Sequence, residues 1–94
     1  MTLLLKDPEA TLDYAIDWGA EYLGQDDLLA DSSWSVEPDE IDGVAVVGSS
    51  FGDRISTVQA GGGAAGRLYR LANRVVTQSG RVDERSIVLR VEKR

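Results

Sequence analysis

Residues 87–91 of this chain read Ile-Val-Leu-Arg-Val, with apolar side chains at Ile87, Leu89 and Val91. A period of two is typical of a half-buried β-strand, because successive side chains point to opposite faces of the sheet. Ile and Val are also branched at Cβ, which favours strands. The C-terminal stretch therefore predicts a strand with one face in a core.

Further strand patterns precede it, separated by turn signals rich in Gly, Pro, Ser and Asp. A helix over 12–23 is the alternative for the first of them, but it would stack the like charges of Asp13, Asp17 and Glu21 at a spacing of four residues. We therefore favour strands throughout, and predict an all-β fold of about seven short antiparallel strands, a sandwich or small barrel. The patterns lie at residues 12–18, 33–36, 43–47, 55–60 and 69–75.

Length and composition limit the functions open to the chain. Its 94 residues fit one domain over 1–94. It contains no Cys and no His, so a disulfide framework is excluded, and so are the commonest general base and the commonest zinc ligand. We expect no catalytic residues, no cofactor and no metal site. No apolar run approaches the roughly 20 residues that cross a bilayer, so we expect no membrane partner.

Charge is distributed unevenly along the chain. Residues 1–53 hold one basic and thirteen acidic residues, whereas 54–94 hold nine basic and three acidic ones. Either the two halves interleave and pair across strands, or opposite faces carry opposite charge and steer head-to-tail docking. We favour the first interpretation. The protein is acidic, and Tyr69 is the only aromatic residue interleaved among its arginines. Both features argue against a nucleic-acid-binding surface, so we expect no nucleic-acid partner.

Two other patterns have a functional and a structural interpretation. Residues 61–66, Gly-Gly-Gly-Ala-Ala-Gly, match a dinucleotide-binding fingerprint, but that site needs a following helix and more chain than remains. We favour a flexible turn between antiparallel strands. Two acidic clusters could offer oxygen ligands to calcium, but neither has the spacing of a dedicated loop, so we expect solvated loops. The clusters are Asp26, Asp27 and Asp31, and Glu37, Asp39, Glu40 and Asp42.

The N-terminal residues are apolar, and we predict that 1–8 form an extended arm ordered by a partner. Edge-strand pairing is the expected mode of contact, through this arm or through the strand at 55–60. Trp18 and Trp34 each lie in a strand pattern and are most simply core residues. Exposed aromatics would instead favour a carbohydrate or cell-surface binding module, with Trp18, Tyr22, Trp34 and Phe51 as candidates. The predicted interface residues are Leu3, Leu4, Leu5, Trp34, Phe51 and Ile55.

A resemblance to known proteins sharpens these expectations. Gly66-x-x-Tyr69-x-Leu71, followed by Ile87-x-Leu89-x-Val91, resembles the last two strands of an immunoglobulin-like domain, with Tyr69 in the place of the tyrosine corner. Over nearly its whole length the chain also resembles short tailed-phage proteins from the head–tail region, described as fibre–tail adaptors. The matching stretches are Lys6-Asp7-Pro8, Leu12-Asp13-Tyr14 with Trp18, Ser32-Ser33-Trp34-Ser35-Val36, Gly62-Gly63-x-x-Gly66, Asn73-Arg74, Gly80-Arg81 and Asp83-x-Arg85-Ser86-Ile87.

This resemblance implies an immunoglobulin-like β-sandwich and a structural role in the virion. It implies an adaptor between tail or neck and fibre, bound to other tail, neck or fibre proteins in copies set by virion symmetry. It also implies synthesis in the cytoplasm of a bacterial host and residence in the tail or neck of the particle. The family brings no catalytic residues.

Overall fold

A computed structural model describes residues 2–24 and 26–93. The described chain contains seven strands and a single helical turn. In chain order they are β1 (Thr2–Lys6), β2 (Leu12–Asp17), α1 (Trp18–Glu21), β3 (Leu29–Glu37), β4 (Val44–Phe51), β5 (Ile55–Gly62), β6 (Leu68–Thr77) and β7 (Val82–Val91). No helix within these residues has the length and apolar character to span a membrane.

The strands form two sheets, as predicted for an all-β chain. The four-stranded sheet has the order β1-β7-β6-β3, and the three-stranded sheet has the order β2-β5-β4. Neighbours run antiparallel except β1, which runs parallel to β7 with Leu4 opposite Leu89. The expectation of antiparallel strands alone was therefore wrong.

The predicted arm over 1–8 is extended at Thr2–Lys6, but this segment is a strand of the protein's own sheet. Leu4 packs against the core, so burial of an apolar side chain accompanies the pairing with β7. A partner is not needed to order this segment.

One hydrophobic core lies between the two sheets, because both contribute buried residues to a single cluster. Asn73, which interrupts the apolar alternation of β6, is also fully buried there. Its Oδ1 accepts from the Trp18 indole N–H at 2.9 Å, and its Nδ2 donates to Ser32 Oγ and to the Ser33 carbonyl oxygen, both at 2.9 Å. Every polar atom of the Asn73 side chain is therefore satisfied, as a buried amide requires.

Trp18 lies one residue beyond the strand in which its alternation with Ile16 suggested it would lie. Strand β2 ends at Asp17, whose carboxylate caps α1 by accepting from the Ala20 N–H at 3.1 Å. The turn directs the indole into the core, where it is fully buried. A continued strand and a single helical turn both place the Trp18 side chain inward, so the alternation alone did not distinguish the two structures.

The acidic and basic halves of the sequence interleave in the fold. Each sheet contains strands from both halves, and ion pairs join them: Arg67 to Glu40 at 3.4 Å and Arg70 to Glu37 at 3.3 Å. This arrangement supports pairing across strands and not a division into one acidic and one basic face.

Candidate functional site

Strand β1 forms an exposed edge of the four-stranded sheet. Alternation turns Leu4 inward and leaves Leu3 and Leu5 on the outer face, 61% and 48% exposed. Leu3 lies opposite Val88, and Leu5 lies opposite Arg90. The prediction of exposed leucines in this segment is correct for Leu3 and Leu5 and wrong for Leu4, whose side chain packs against the core.

Lys6 fixes the end of β1 to the rest of the sandwich. Its side chain is buried, and its Nζ donates to the backbone oxygens of Asp7, Ala10 and Gly62 at 2.9, 2.5 and 2.6 Å. Burial lowers the pKa of the Lys6 amino group, and the neighbouring Asp7 carboxylate acts in the opposite direction. The bond to Gly62 reaches the end of β5, so one side chain connects an edge of one sheet to the other sheet.

Four apolar side chains lie on the outer face at this end of the sheet, and we name Leu3, Leu5, Leu68 and Val88 the apolar corner. Arg90 of β7 lies between Leu5 and Leu68. The register places them on adjacent strands, since Val88 lies opposite Leu3 and Leu68 lies opposite Arg90, which faces Leu5. Leu68 is 57% exposed. A shallow groove of about 600 Å³ continues from Leu68 and Val88 toward Pro38. Contiguous exposed apolar side chains are a feature of protein-binding surfaces.

The other three edge strands carry features that discourage pairing. β2 presents Asp13 and Asp17, both exposed, on its outer side. β3 has a register shift between Leu29 and Asp31, and β4 has one between Val46 and Gly48. Charges and bulges are how natural proteins block edge-to-edge association. β1 has neither, because Lys6, its only charged residue, is buried.

The remaining predicted interface residues lie elsewhere. Trp34 is partly buried against the core and donates its indole N–H to Ser56 Oγ at 3.0 Å. Phe51 and Ile55 are 42% and 46% exposed, but both belong to the three-stranded sheet and not to the apolar corner. The prediction that the strand at 55–60 offers an edge was wrong, because β5 pairs with β2 on one side and β4 on the other.

Sequence reasoning did not select Leu68 and Val88. Leu68 precedes the buried Tyr69, and Val88 precedes the buried Leu89. Because successive side chains of a strand point to opposite faces, alternation places Leu68 and Val88 on an outer face. What alternation could not reveal is that β1 lies beside them, since the pairing of β1 with β7 joins opposite ends of the chain.

The glycine-rich stretch has a conformational explanation. Gly62, Gly63 and Gly66 have φ of +76°, +115° and +85°, a region that costs glycine little. A Cβ on Gly63 would also lie 2.7 Å from Val91 Cγ2 and 3.0 Å from Val44 Cγ2. Strand β6 follows the stretch, and not the helix that a dinucleotide site requires.

At least one carboxylate of each acidic cluster is hydrogen-bonded to a residue far away along the chain. Asp27 accepts from Ser79 Oγ at 2.8 Å and from the Leu28 N–H at 3.0 Å, and the Ser79 bond is the largest cause of its lowered pKa. Glu40 accepts from the Tyr69 hydroxyl at 2.8 Å. The described parts of the chain contain no group of three His, Cys, Asp or Glu that could hold a metal ion.

Comparison with known proteins identifies a family. Residues 6–90 match the family model described as podophage GP4 fiber-tail adaptor protein gp77. A search of curated proteins found no match. The matched range covers β2 to β6 and nearly all of β7; it includes Leu68 and Val88 of the apolar corner but not Leu3 and Leu5.

Proposed function

Because the chain belongs to the podophage GP4 fiber-tail adaptor family, we propose that it holds one of its two partners through the apolar corner and the free edge of β1. A fibre–tail adaptor of this kind joins tail and fibre proteins and belongs to the tail of the virion. The observation that supports this proposal most is that, among the described residues, β1 is the edge strand without an exposed charge or a bulge, and its outward Leu3 lies beside Val88.

The contact would combine two known modes of recognition. A partner strand beside β1 would satisfy the backbone groups of its free edge. Side chains of the same partner would cover the apolar corner, and fully burying one Leu side chain contributes about 1.5–3 kcal/mol. The ion pair Arg70–Glu37, at 3.3 Å, flanks the corner beside Val88 and would form part of a polar rim. Arg90, which pairs with Glu92 at 2.7 Å, lies between Leu5 and Leu68 and would be covered together with them.

We propose further that the sandwich is immunoglobulin-like. The sheet orders β2-β5-β4 and β7-β6-β3 correspond to the B-E-D and G-F-C orders of that fold. Tyr69, near the start of β6, accepts from the Ala64 N–H at 3.0 Å, as the tyrosine corner bonds to backbone a few residues upstream. A search for structural neighbours of an experimentally determined structure would test this assignment.

We propose that the protein acts structurally and not as an enzyme, in copies set by the symmetry of the particle at the tail or its neck. The absence of His and Cys from the sequence supports this. We also propose that the protein is synthesised in the host cytoplasm and that it binds neither nucleic acid nor a membrane. Mass spectrometry of purified particles, with copy numbers from cryo-electron microscopy, would test these points.

Binding of the purified protein to isolated tails and to isolated fibres tests the proposed surface. The double variant Leu3→Lys, Leu5→Lys should weaken binding to one of them by at least about tenfold, since it removes two apolar contacts. Ile41→Lys is the matched control, because Ile41 is 93% exposed in the β3–β4 loop. Equal affinities of the double variant and the wild type for both partners would refute this assignment.

A further inference from the structure

Strands β4 and β5 are joined by a short turn at the opposite end of the sandwich from Leu68 of the apolar corner. The Leu29 N–H donates to the Asp53 carbonyl oxygen at 2.7 Å, so the turn lies beside the start of β3. Leu29 pairs in turn with Thr77, the last residue of β6, whereas Leu68 is the first residue of the same strand. The longest dimension of the molecule is 43 Å. Two partners can therefore contact the two ends at the same time.

Residues 51–55, which we name the hairpin end, carry an exposed apolar side chain on each face of the three-stranded sheet. Phe51 lies opposite Ser56, whose side chain is buried, so Phe51 belongs to the inner face. Ile55 precedes Ser56 in β5 and therefore points to the outer face. Phe51 and Ile55 are 42% and 46% exposed. A partner that contacts both side chains has to enclose the hairpin end from two sides, as a cleft does.

Hydrogen bonds hold the hairpin end in place. The Gly52 N–H donates to the Ile55 carbonyl oxygen at 2.9 Å. The Arg54 carbonyl oxygen accepts from the Trp18 N–H at 2.9 Å and from the Gly19 N–H at 3.2 Å. The Arg54 guanidinium donates to the Gly19 carbonyl oxygen at 3.3 Å and lies so close to Gly19 that a Cβ there has no room. A surface that is already fixed in one conformation loses little conformational entropy when it binds.

This end of the molecule exposes more acidic than basic groups. Arg54 packs against α1, as described above. The Arg81 guanidinium lies 4.3 Å from the centre of the Tyr22 ring, and that of Arg85 lies 4.8 Å from the centre of the Trp18 ring. Several carboxylates are exposed in the segments that meet here, and opposite charges across an interface favour association. We therefore expect basic side chains on a partner that binds here. The exposed acidic residues include Asp17, Asp26, Asp31 and Asp53.

We propose that the hairpin end binds the second partner of the adaptor, by inserting Phe51 and Ile55 into an apolar cleft with basic residues at its rim. The proposal deepens the proposed function and rests on it, because the apolar corner is assigned to one partner only. Aromatic side chains that fill a pocket are frequent anchors of protein interfaces. Tail and fibre proteins would then bind at opposite ends of one sandwich, so that neither has to displace the other.

Ile55→Lys tests the proposal, because it replaces an exposed apolar side chain with a cation that faces the basic rim. The probes are tails purified from particles assembled without this protein, and isolated fibres. We expect Ile55→Lys to weaken, by at least about tenfold, binding to the probe that Leu3→Lys, Leu5→Lys leaves unaffected. Val47→Lys is the matched control, since Val47 is 60% exposed on β4 outside the hairpin end. It should bind both probes as the wild type does.

Phe51→Ser is the second variant, and it should weaken binding to the same probe as Ile55→Lys. Because Phe51 is partly covered, its thermal midpoint is measured alongside, and Ile55→Lys decides the outcome if Phe51→Ser does not fold. Asp53→Asn should slow association with that probe by about two- to threefold at low salt. Asp13→Asn, the same change at an exposed residue of β2 that pairs with Gln59, should not. Equal association rates of these two variants would overturn the basic rim.

The outcomes separate this proposal from the proposed function. Wild-type affinity of Ile55→Lys for both probes would overturn the hairpin end as a binding site and leave the apolar corner standing. Weakening of the same probe by Ile55→Lys and by Leu3→Lys, Leu5→Lys would overturn binding at opposite ends. Failure of the wild type to bind either probe would overturn the proposed function and this proposal with it. Self-association of the wild type that Ile55→Lys abolishes would identify a second copy as the occupant and overturn the proposal.

Discussion

At the scale of single residues, two positions that look unfavourable in the sequence are explained by their surroundings. Asn73 is a polar residue in the core, yet it bonds to Trp18, Ser32 and Ser33. Gly63 follows a strand and has no side chain, yet Val91 and Val44 approach it so closely that no Cβ fits. In both cases the reason for the residue type is a neighbour far away along the chain.

Gly63→Ala should therefore destabilise the protein by about 2–4 kcal/mol, through backbone strain at φ +115° together with overpacking against the two valines. Gly66→Ala is the matched control: its φ is +85°, but a Cβ there meets no atom within 4 Å. It should cost only about 1–2 kcal/mol. Urea denaturation measures both, and equal losses would show that packing at Gly63 plays no part.

At the scale of elements, β1 is the strand whose position depends most on one side chain. Its ladder with β7 continues past Val91, where the Glu92 N–H donates to the Lys6 carbonyl oxygen at 2.9 Å. The buried Lys6 amino group then connects β1 to Gly62 at the end of β5. A strand at a sheet edge is paired on one side only, so this additional connection should limit its fraying.

Lys6→Met keeps the length of the side chain but removes every hydrogen bond that Nζ donates. We expect a loss of about 2–4 kcal/mol in unfolding free energy, because carbonyl oxygens lose their donor in a buried site. Hydrogen exchange in β1 should accelerate more than in β6. Lys93→Met, a change at the exposed second lysine, is the control. Unchanged exchange in β1 would contradict the role assigned to Lys6.

At the scale of the whole molecule, the two charged halves of the sequence are folded into each other. The cross-half ion pairs Arg67–Glu40 and Arg70–Glu37 lie at the surface, where their arginine side chains are 55% and 43% exposed. Pairs of this kind contribute roughly 0–1 kcal/mol each and are screened by salt. The stability of the sandwich should accordingly come from its apolar core.

Raising the salt concentration from about 0.02 M to about 0.5 M should then change the unfolding free energy by less than about 1–2 kcal/mol. The isolated protein should also sediment as the same species at both concentrations. Association at low salt that high salt reverses would instead favour opposite faces of opposite charge. Denaturation curves and analytical ultracentrifugation measure the two quantities.

Much of the secondary structure was predictable, because alternation is a local property. The patterns at 55–60, 69–75 and 87–91 lie within β5, β6 and β7, and alternation distinguished buried from exposed positions in β7. The candidate surface was predictable only in part. Leu3 and Leu5 are exposed as expected, but Trp34 faces inward. The serine-rich sequence around Trp34 does not indicate which face of its strand meets the core, so this direction could not be predicted.

The alternation at residues 87–91 by itself determined that the chain ends in a strand with Ile87, Leu89 and Val91 inward, and composition determined a protein without disulfide or histidine chemistry. Only the tertiary structure decided that β1 pairs with the second half of β7 and, among the described residues, leaves that side of the first half without a strand partner. The physical reason is that side-chain direction follows from the geometry of one strand, whereas strand pairing follows from burial and hydrogen bonds between distant segments.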